Sequence, residues 1–159
     1  MLKHAEIISY YDILTRRRAK RHNADVARPL RDADFERLAS WRYALRAFLR
    51  FSATAARRAG ISPSQHQLVL AVRGFPEGPP TIADLAERLQ LRHQSTVGLV
   101  DRCQRAGLVR RRKDAEDRRR VRVEITAKAE RILEQLSREH LRELRSLALK
   151  FPLALPGSG

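Results

Sequence analysis

The sequence predicts a mainly α-helical fold with one small β-hairpin, and three observations lead to this prediction. Apolar residues recur every three or four positions along most of the chain, as they do on one face of an α-helix. The segments SPSQ at 62–65 and TIAD at 81–84 have the composition of helix starts, with a capping hydroxyl first and a polar side chain three positions on. Between residues 121 and 125 apolar residues alternate with charged ones, which is the period of a strand with one buried face.

The positive charge of the chain is large and falls in two blocks. The 159 residues hold 33 Lys and Arg against 18 Asp and Glu, a net charge of +15. Residues 1–60 hold 14 cations and 6 anions, and residues 88–122 hold 12 and 4, so each block carries +8. Clustered positive charge indicates a polyanionic partner, either nucleic acid or an acidic membrane surface. Of the cations, 28 are arginine, whose planar fork suits phosphate, although a GC-rich genome also enriches arginine.

Several classes of protein are excluded by the composition. A single cysteine, Cys103, rules out an internal disulfide framework and a cysteine-built zinc site. No run of about 18 apolar residues is present, and the N-terminus lacks the features of a signal peptide, so we expect a soluble, cytoplasmic protein. The sequence has no glycine-rich phosphate loop, no metal-binding histidine pair and no Ser, His and acid set. We therefore expect no enzyme activity, no catalytic residues, no metal and no cofactor.

The N-terminal third is predicted to hold two helices separated by a linker. Helical spacing of apolar residues indicates a helix over 4–21, which runs into the basic sequence RRRAKR at 16–21. Residues 22–33 are polar, contain a proline and indicate a linker. Asp34 is the predicted cap of a long amphipathic helix over 35–58.

Three shorter helices are predicted in the centre of the chain. Gly60 is suited to end the long helix in a left-handed conformation, and the capping sequence at 62–65 starts a helix that ends at residue 73. A second helix covers 82–89, and after a three-residue turn a third covers 93–106. Gly107 is placed to end the third helix.

A hairpin and a last long helix complete the prediction. Residues 108–112 and 121–125 form the two strands, and the polar segment that begins at residue 113 forms a charged tip. Thr126 caps a helix over 127–150, which has an apolar stripe along one side.

The order of a short helix, a turn, a second helix and a basic two-stranded ribbon is that of a helix-turn-helix followed by a wing. The second helix must present a polar face to enter a major groove about 12 Å wide. We predict that this face contacts DNA through Arg92, His93, Gln94, Ser95, Thr96, Arg102 and Arg105. Val97 and Val100 are predicted to face inward, against the preceding helix. The wing is predicted to contact the flanking DNA through Lys113, Arg118, Arg119 and Arg120.

The chain resembles the MarR family of winged-helix regulators between Ser62 and Thr126. The segments that carry the resemblance are TIADLAERLQL, STVGLVDRCQRAGLVRRR and DAEDRRRVRVEIT, in the family's order and spacing. The resemblance implies a mainly α fold with a small β-wing, in which long dimerisation helices flank a winged helix-turn-helix domain. The implied regions are an N-terminal helix with a basic arm, a first dimerisation helix, the DNA-binding region, and a C-terminal dimerisation helix with its tail, at 1–33, 34–61, 62–126 and 127–159.

The resemblance also implies a function and some residue roles. It implies a homodimer that binds a palindromic operator in double-stranded DNA, usually represses transcription, and in many members releases DNA when a small anionic or aromatic effector binds. By position Arg118 and Arg119 match the family's wing-tip arginines, and Asp117 matches the aspartate that braces a wing arginine. Cys103 does not stand where the peroxide sensors of the family carry their reactive cysteine.

This sequence departs from the family at both ends. Pro152 and Pro156 end the C-terminal region after one helix where the family commonly has two, and the segment 1–33 is longer than usual. We hypothesise that the helix over 4–21 takes the place of the missing C-terminal helix in the dimer.

Several alternatives are open at the level of the sequence. The arginines of the wing and of RRRAKR either contact DNA or are solvated, and Gln94, Ser95 and Thr96 either read bases or hold phosphates. His66 is either a satisfied, partly buried residue or part of an effector pocket with Trp41, Tyr43 and Arg46. The whole chain is either a sequence-specific regulator or a non-specific architectural DNA-binding protein, for which the charge alone would suffice.

Overall fold

A computed structural model of the chain describes residues 29–114 and 120–150. The helices are α1 (Asp32–Arg58), α2 (Pro63–Arg73), α3 (Ile82–Leu89), α4 (His93–Arg105) and α5 (Ala127–Lys150), and the strands are β1 (Val109–Lys113) and β2 (Val121–Ile125). The two strands pair antiparallel. The predicted mainly helical fold with one hairpin is therefore confirmed. The predicted helix over 4–21, the basic arm at 16–21, the wing-tip residues Asp117, Arg118 and Arg119, and both C-terminal prolines lie outside the described residues.

The chain divides into two compact units. The described residues of the first unit are 29–49 and 143–150, and the second unit is the continuous stretch 50–142. In the first unit, α1 leaves large apolar side chains exposed, and they are Phe35, Leu38, Tyr43, Leu45 and Leu49. Within the described ranges, no helix is long and apolar enough to cross a membrane.

The start of α1 differs from the prediction. The helix begins at Asp32, so Asp34 lies inside its first turn and is not the cap. Its carboxylate instead accepts the backbone N–H of Arg31 at 3.0 Å, which satisfies a donor just before the helix. Asp34 is buried and also pairs with Arg37 at 3.7 Å. An aspartate three residues after the cap can accept a backbone N–H at the start of a helix, as an aspartate at the cap can. The sequence alone does not separate the two positions.

The two central capping sequences are confirmed. Ser62 Oγ accepts the N–H of Gln65 at 3.2 Å, and the Gln65 amide oxygen accepts the N–H of Ser62 at 2.8 Å. Thr81 and Asp84 make the same reciprocal pair, at 3.3 and 2.8 Å. Gly60, which follows α1, has the predicted left-handed φ of +78°. These local contacts fix where α2 and α3 begin.

One core holds the second unit together. Apolar side chains from all its helices and from both strands meet in it, and those that are essentially inaccessible include Leu68, Leu85, Val100, Leu108, Val123 and Leu136. The hairpin packs on this core through alternate residues: Val109 and Val123 are buried, while Arg110 and Arg112 are exposed. The strand β1 begins one residue later than predicted, at Val109.

The start of α5 is bonded to the end of α4. Gly107 ends α4 with a φ of +68°, as predicted. The Thr126 hydroxyl donates to the carbonyl of Gly107 at 2.7 Å, its N–H donates to Leu108 at 3.0 Å, and Lys128 Nζ donates to Ala106 at 2.9 Å. Thr126 also accepts the N–H of Ala129 at 3.3 Å, which confirms it as the cap of α5. These bonds hold the two helices at one point.

Candidate nucleic-acid interface

The turn between α3 and α4 directs the first turn of α4 to the surface. Gln90 takes a left-handed conformation with a φ of 54°, and its N–H and that of Leu91 close the end of α3 on Glu87 and Ala86. A long side chain in this conformation is uncommon and marks a tight reversal. After the turn, the side chains of Arg92, His93, Gln94 and Ser95 are all exposed.

Thr96 does not belong to this exposed face. The prediction that it contacts DNA is wrong, because its side chain is completely buried. Its hydroxyl donates to the carbonyl of Arg92 at 3.2 Å, one helical turn back, so the polar group is satisfied inside the protein. The inner face of α4 is formed by Thr96, Leu99, Val100 and Cys103, whereas Val97 is only half-buried.

The outer face of α4 continues with two exposed arginines. Arg102 and Arg105 are exposed, and their spacing from Gln94 places all three on the same side of the helix. The hairpin adds Lys113 and Arg120, which are exposed at the ends of the described strands. One compact unit thus brings together most of the predicted contact residues, and their contact with DNA stays a prediction, as it does for Arg118 and Arg119, which lie outside the described residues.

Two arginines of the hairpin have roles that the sequence reasoning missed. Arg111 donates to the Asp101 carboxylate at 2.6 Å and to the Gln104 side-chain oxygen at 2.8 Å, so β1 is tied to α4. Arg122 donates through Nε to Asp114 at 2.6 Å. Arg111 alternates in phase with the buried Val109, and this signal could have identified it as inward-facing. For Arg122 the sequence offers no comparable signal.

The face of the hairpin that carries Arg122 also holds Arg110, Arg112 and Glu124, and it is neutralised in part. Arg110 pairs with Glu124 at 2.8 Å, and Arg112 lies 3.6 Å from the same carboxylate. Four strand arginines therefore face carboxylates of the chain itself. Around the helix-turn-helix, the cations exposed outside these pairs include Arg92, Arg102, Arg105 and Lys113.

Cys103 is a core residue of the second unit. Its side chain has no exposed surface, and burial raises the pKa of its thiol to about 11, although Arg102 acts in the opposite direction. Because the thiolate is the reactive form, this environment protects Cys103 from oxidation near neutral pH.

His66 is buried against a second histidine. Its ring centroid lies 4.8 Å from that of His140, whose nitrogens are 2.6 Å from the Leu136 carbonyl and 2.8 Å from Ser52 Oγ. Burial, and to a smaller extent the charge of His140, lowers the pKa of His66. His66 is therefore a buried residue, and its part in an effector pocket stays a prediction. Trp41, Tyr43 and Arg46 belong to the first unit, and the effector pocket stays a prediction.

A helix-turn-helix followed by a paired basic hairpin defines the winged-helix class of proteins. Residues 59–120 match the sequence model of the MarR family. A MarR family protein from Bacillus stearothermophilus has a similar structure, with a TM-score of 0.65 and 25% identity over 79% of this chain and 86% of that chain. Residues 59–120 are thus similar to the MarR family in sequence, and the resemblance inferred from the motifs of this region is confirmed. MepR of Staphylococcus aureus shares the fold, with a TM-score of 0.61 and 17% identity over 71% of this chain and 82% of MepR.

The curated relatives are described as transcriptional regulators. The HTH-type transcriptional regulator YfiV of Bacillus subtilis is 38% identical over 76 residues, which are 47% of this chain and 48% of YfiV. YsmB of the same organism, with the same description, is 37% identical over 70 residues, or 42% of this chain and 48% of YsmB. The chain spans about half the length of the curated relatives it matches.

Proposed function

We propose that this protein is a dimeric, sequence-specific DNA-binding regulator of transcription that acts as a repressor. The observation that carries the proposal is the exposed polar and cationic face of α4 beside a cationic hairpin in one compact unit. A MepR mutant of Staphylococcus aureus whose structure was solved with an oligodeoxyribonucleotide aligns with 71% of this chain at a TM-score of 0.58 and 18% identity, and supports DNA as the partner.

In the proposed complex α4 is the recognition helix and lies in the major groove. Gln94 is the candidate for an adenine edge, because a side-chain amide can both donate to and accept from that base. Ser95, Arg92 and His93 stand on the same first turn and serve phosphates or bases, and Arg105 lies further along the helix. The hairpin, which we call the wing, contacts the flanking minor groove or its phosphates.

Dimerisation would place two such units on one palindromic site. Apolar side chains that are more than half exposed support it, because such a surface on a single chain is costly in water and is typical of an interface. Along α1 these are Phe35, Leu38, Tyr43, Leu45 and Leu49. Two recognition helices about 34–36 Å apart would enter successive major grooves.

Binding of a small anionic or aromatic effector would then make the protein release DNA, with Trp41, Tyr43 and Arg46 as the candidate contacts.

The decisive experiment is selection of bound duplexes from a random DNA pool, followed by footprinting and by affinity measurements at one salt concentration. We expect a palindromic consensus that is bound at least about a thousandfold more tightly than random DNA. A Gln94→Ala variant should lose discrimination at one base position, whereas a Gln67→Ala variant, altered at an exposed glutamine of α2, should not. Equal affinity for all duplexes would favour the architectural alternative and reject the proposal.

A further inference from the structure

The wing is joined to the rest of its unit by a junction at β2. The N–H of Val123 donates to the carbonyl of Pro80 at 2.8 Å, and Arg122 forms an antiparallel bridge with Thr81. The segment that leads into α3 therefore pairs with β2 as a short third strand would. These backbone contacts hold only β2. The direction of the part of the hairpin that lies further from α3 therefore depends on side-chain contacts.

The side chain of Arg122 connects three parts of this junction. Its Nε donates to the Asp114 carboxylate at 2.6 Å, and its Nη1 donates to the carbonyl of Pro79 at 3.2 Å. The Arg122 side chain is 29% exposed and that of Asp114 only 12%, so the pair is more shielded from water than an ordinary surface ion pair. Asp114 also donates its N–H to the carbonyl of Arg120 at 3.0 Å, which closes the hairpin. One guanidinium thus joins the end of β1, the strand β2 and the loop before α3.

We propose that Arg122 is a positioning residue of the DNA interface, which holds the wing in one direction relative to the recognition helix by tying Asp114 to Pro79. This inference rests on the proposed function. A guanidinium donates in a rigid fork, and here two of its nitrogens are directed to acceptors of the chain itself. Because Pro79 precedes α3, and α3 leads through its tight turn into α4, the tie connects the wing to the helix-turn-helix.

Charge and geometry make opposite predictions for Asp114. If only charge mattered, removing a carboxylate from a basic surface would strengthen binding to phosphates. If Asp114 holds Arg122 in place, removing its charge frees the guanidinium and the hairpin end, and binding weakens. The sign of the change in affinity therefore separates the two explanations.

The test compares Asp114→Asn and Arg122→Lys with Glu87→Gln. Lysine keeps the charge of Arg122 but has no fork, and Glu87 is an exposed carboxylate of α3 that is in no ion pair within the described part of the chain. Each full-length variant is bound to the selected operator and to random DNA, and its minor- and major-groove footprints are recorded at a temperature where melting curves show it to be folded. We expect Asp114→Asn and Arg122→Lys to bind the operator about tenfold more weakly. Both should lose protection in the flanking minor groove and keep it in the major groove, while Glu87→Gln binds at least as tightly as the unmodified protein.

Three outcomes would overturn the inference. Tighter operator binding by Asp114→Asn would show that only its charge matters. A parallel loss of both footprints would show general destabilisation instead of a misdirected wing. Selective binding by the unmodified protein without any minor-groove protection would mean that the wing has no contact to position. A failure of the proposed function looks different, because the unmodified protein would then prefer no duplex at all.

Discussion

Replacing Arg111 by alanine tests whether this arginine holds the hairpin against α4 or faces DNA. Its guanidinium makes two bonds, to Asp101 at 2.6 Å and to Gln104 at 2.8 Å. The side chains of the ion pair are 27% and 48% exposed, so screening limits the pair to about 0.5–1 kcal/mol. The bond to the amide oxygen adds about 1 kcal/mol. We therefore expect Arg111→Ala to lower the free energy of unfolding by about 1–2 kcal/mol.

Urea unfolding measures the stability that Arg111 contributes, and the salt dependence of DNA binding measures whether Arg111 contacts phosphate. A double-mutant cycle with Asp101→Asn should give a coupling energy of about 0.5–1 kcal/mol, because each variant breaks the same ion pair. In DNA binding, Arg111→Ala should leave the slope of log K against log salt unchanged, since Asp101 already neutralises the charge. Arg105→Ala, which alters an exposed arginine of the recognition helix, should reduce the slope by about 0.9. Equal reductions by both variants, or a coupling energy of zero, would refute the assignment of Arg111 as an internal tie.

The further predictions concern the oligomer and the buried titratable groups. Leu45→Glu should convert the proposed dimer to monomers in sedimentation equilibrium, whereas Leu70→Glu, at a similarly exposed leucine of α2, should not; an intact Leu45→Glu dimer would exclude this face. The lowered pKa of His66 means that the unfolded chain takes up its proton first as the pH falls below about 6.5, so stability is lost toward acid. His66→Phe should flatten the fall in unfolding free energy between about pH 7 and 5, and an unchanged profile would contradict this. The pKa of Cys103 near 11 keeps its thiol protonated in the folded state, so alkylation at neutral pH should be slow until urea unfolds the chain, and peroxide should leave DNA binding intact. Because the folded state keeps that proton while the unfolded state loses it from about pH 9, stability should also fall as the pH rises from 9 to 11.

The helix starts and ends of the second unit were predictable because their signals are local. The capping pairs at Ser62 and Thr81 span four residues each, and the glycines at 60 and 107 act through their own backbone conformation. Such features depend on near neighbours in the chain and not on the rest of the fold. The order of the helices and the hairpin followed from them, and with it the class of fold.

The rotation of the recognition helix was harder to predict. Val97 and Val100 indicate one inner face, but the spacing of Thr96, Leu99 and Cys103 fits a helix face equally well. Packing on α3 and the sheet selects the second face, and Thr96 is tolerated inside because its hydroxyl bonds to its own helix. A threonine on a boundary can face either way, and only the tertiary contacts decide.

The arginine ties could not be predicted because their partners are distant in the sequence. The carbonyl that Arg122 contacts lies 43 residues away, and the carboxylate that Arg111 contacts lies 10 residues away on another element. From composition alone, each arginine of the basic block is equivalent to every other. The structure separates the arginines that bond to distant parts of the chain from those that are exposed.

The bonds between the first turn of α5 and the end of the recognition helix have a mechanical consequence. Thr126 and Lys128 hold the carbonyls of Ala106, Gly107 and Leu108, so no slack segment lies between the two helices at that point. A displacement of the start of α5 would therefore move the C-terminal end of α4 with it. Helix shifts of about 1–2 Å are enough for switching in other proteins, and in this unit these bonds would carry such a shift from the first turn of α5 to the end of α4.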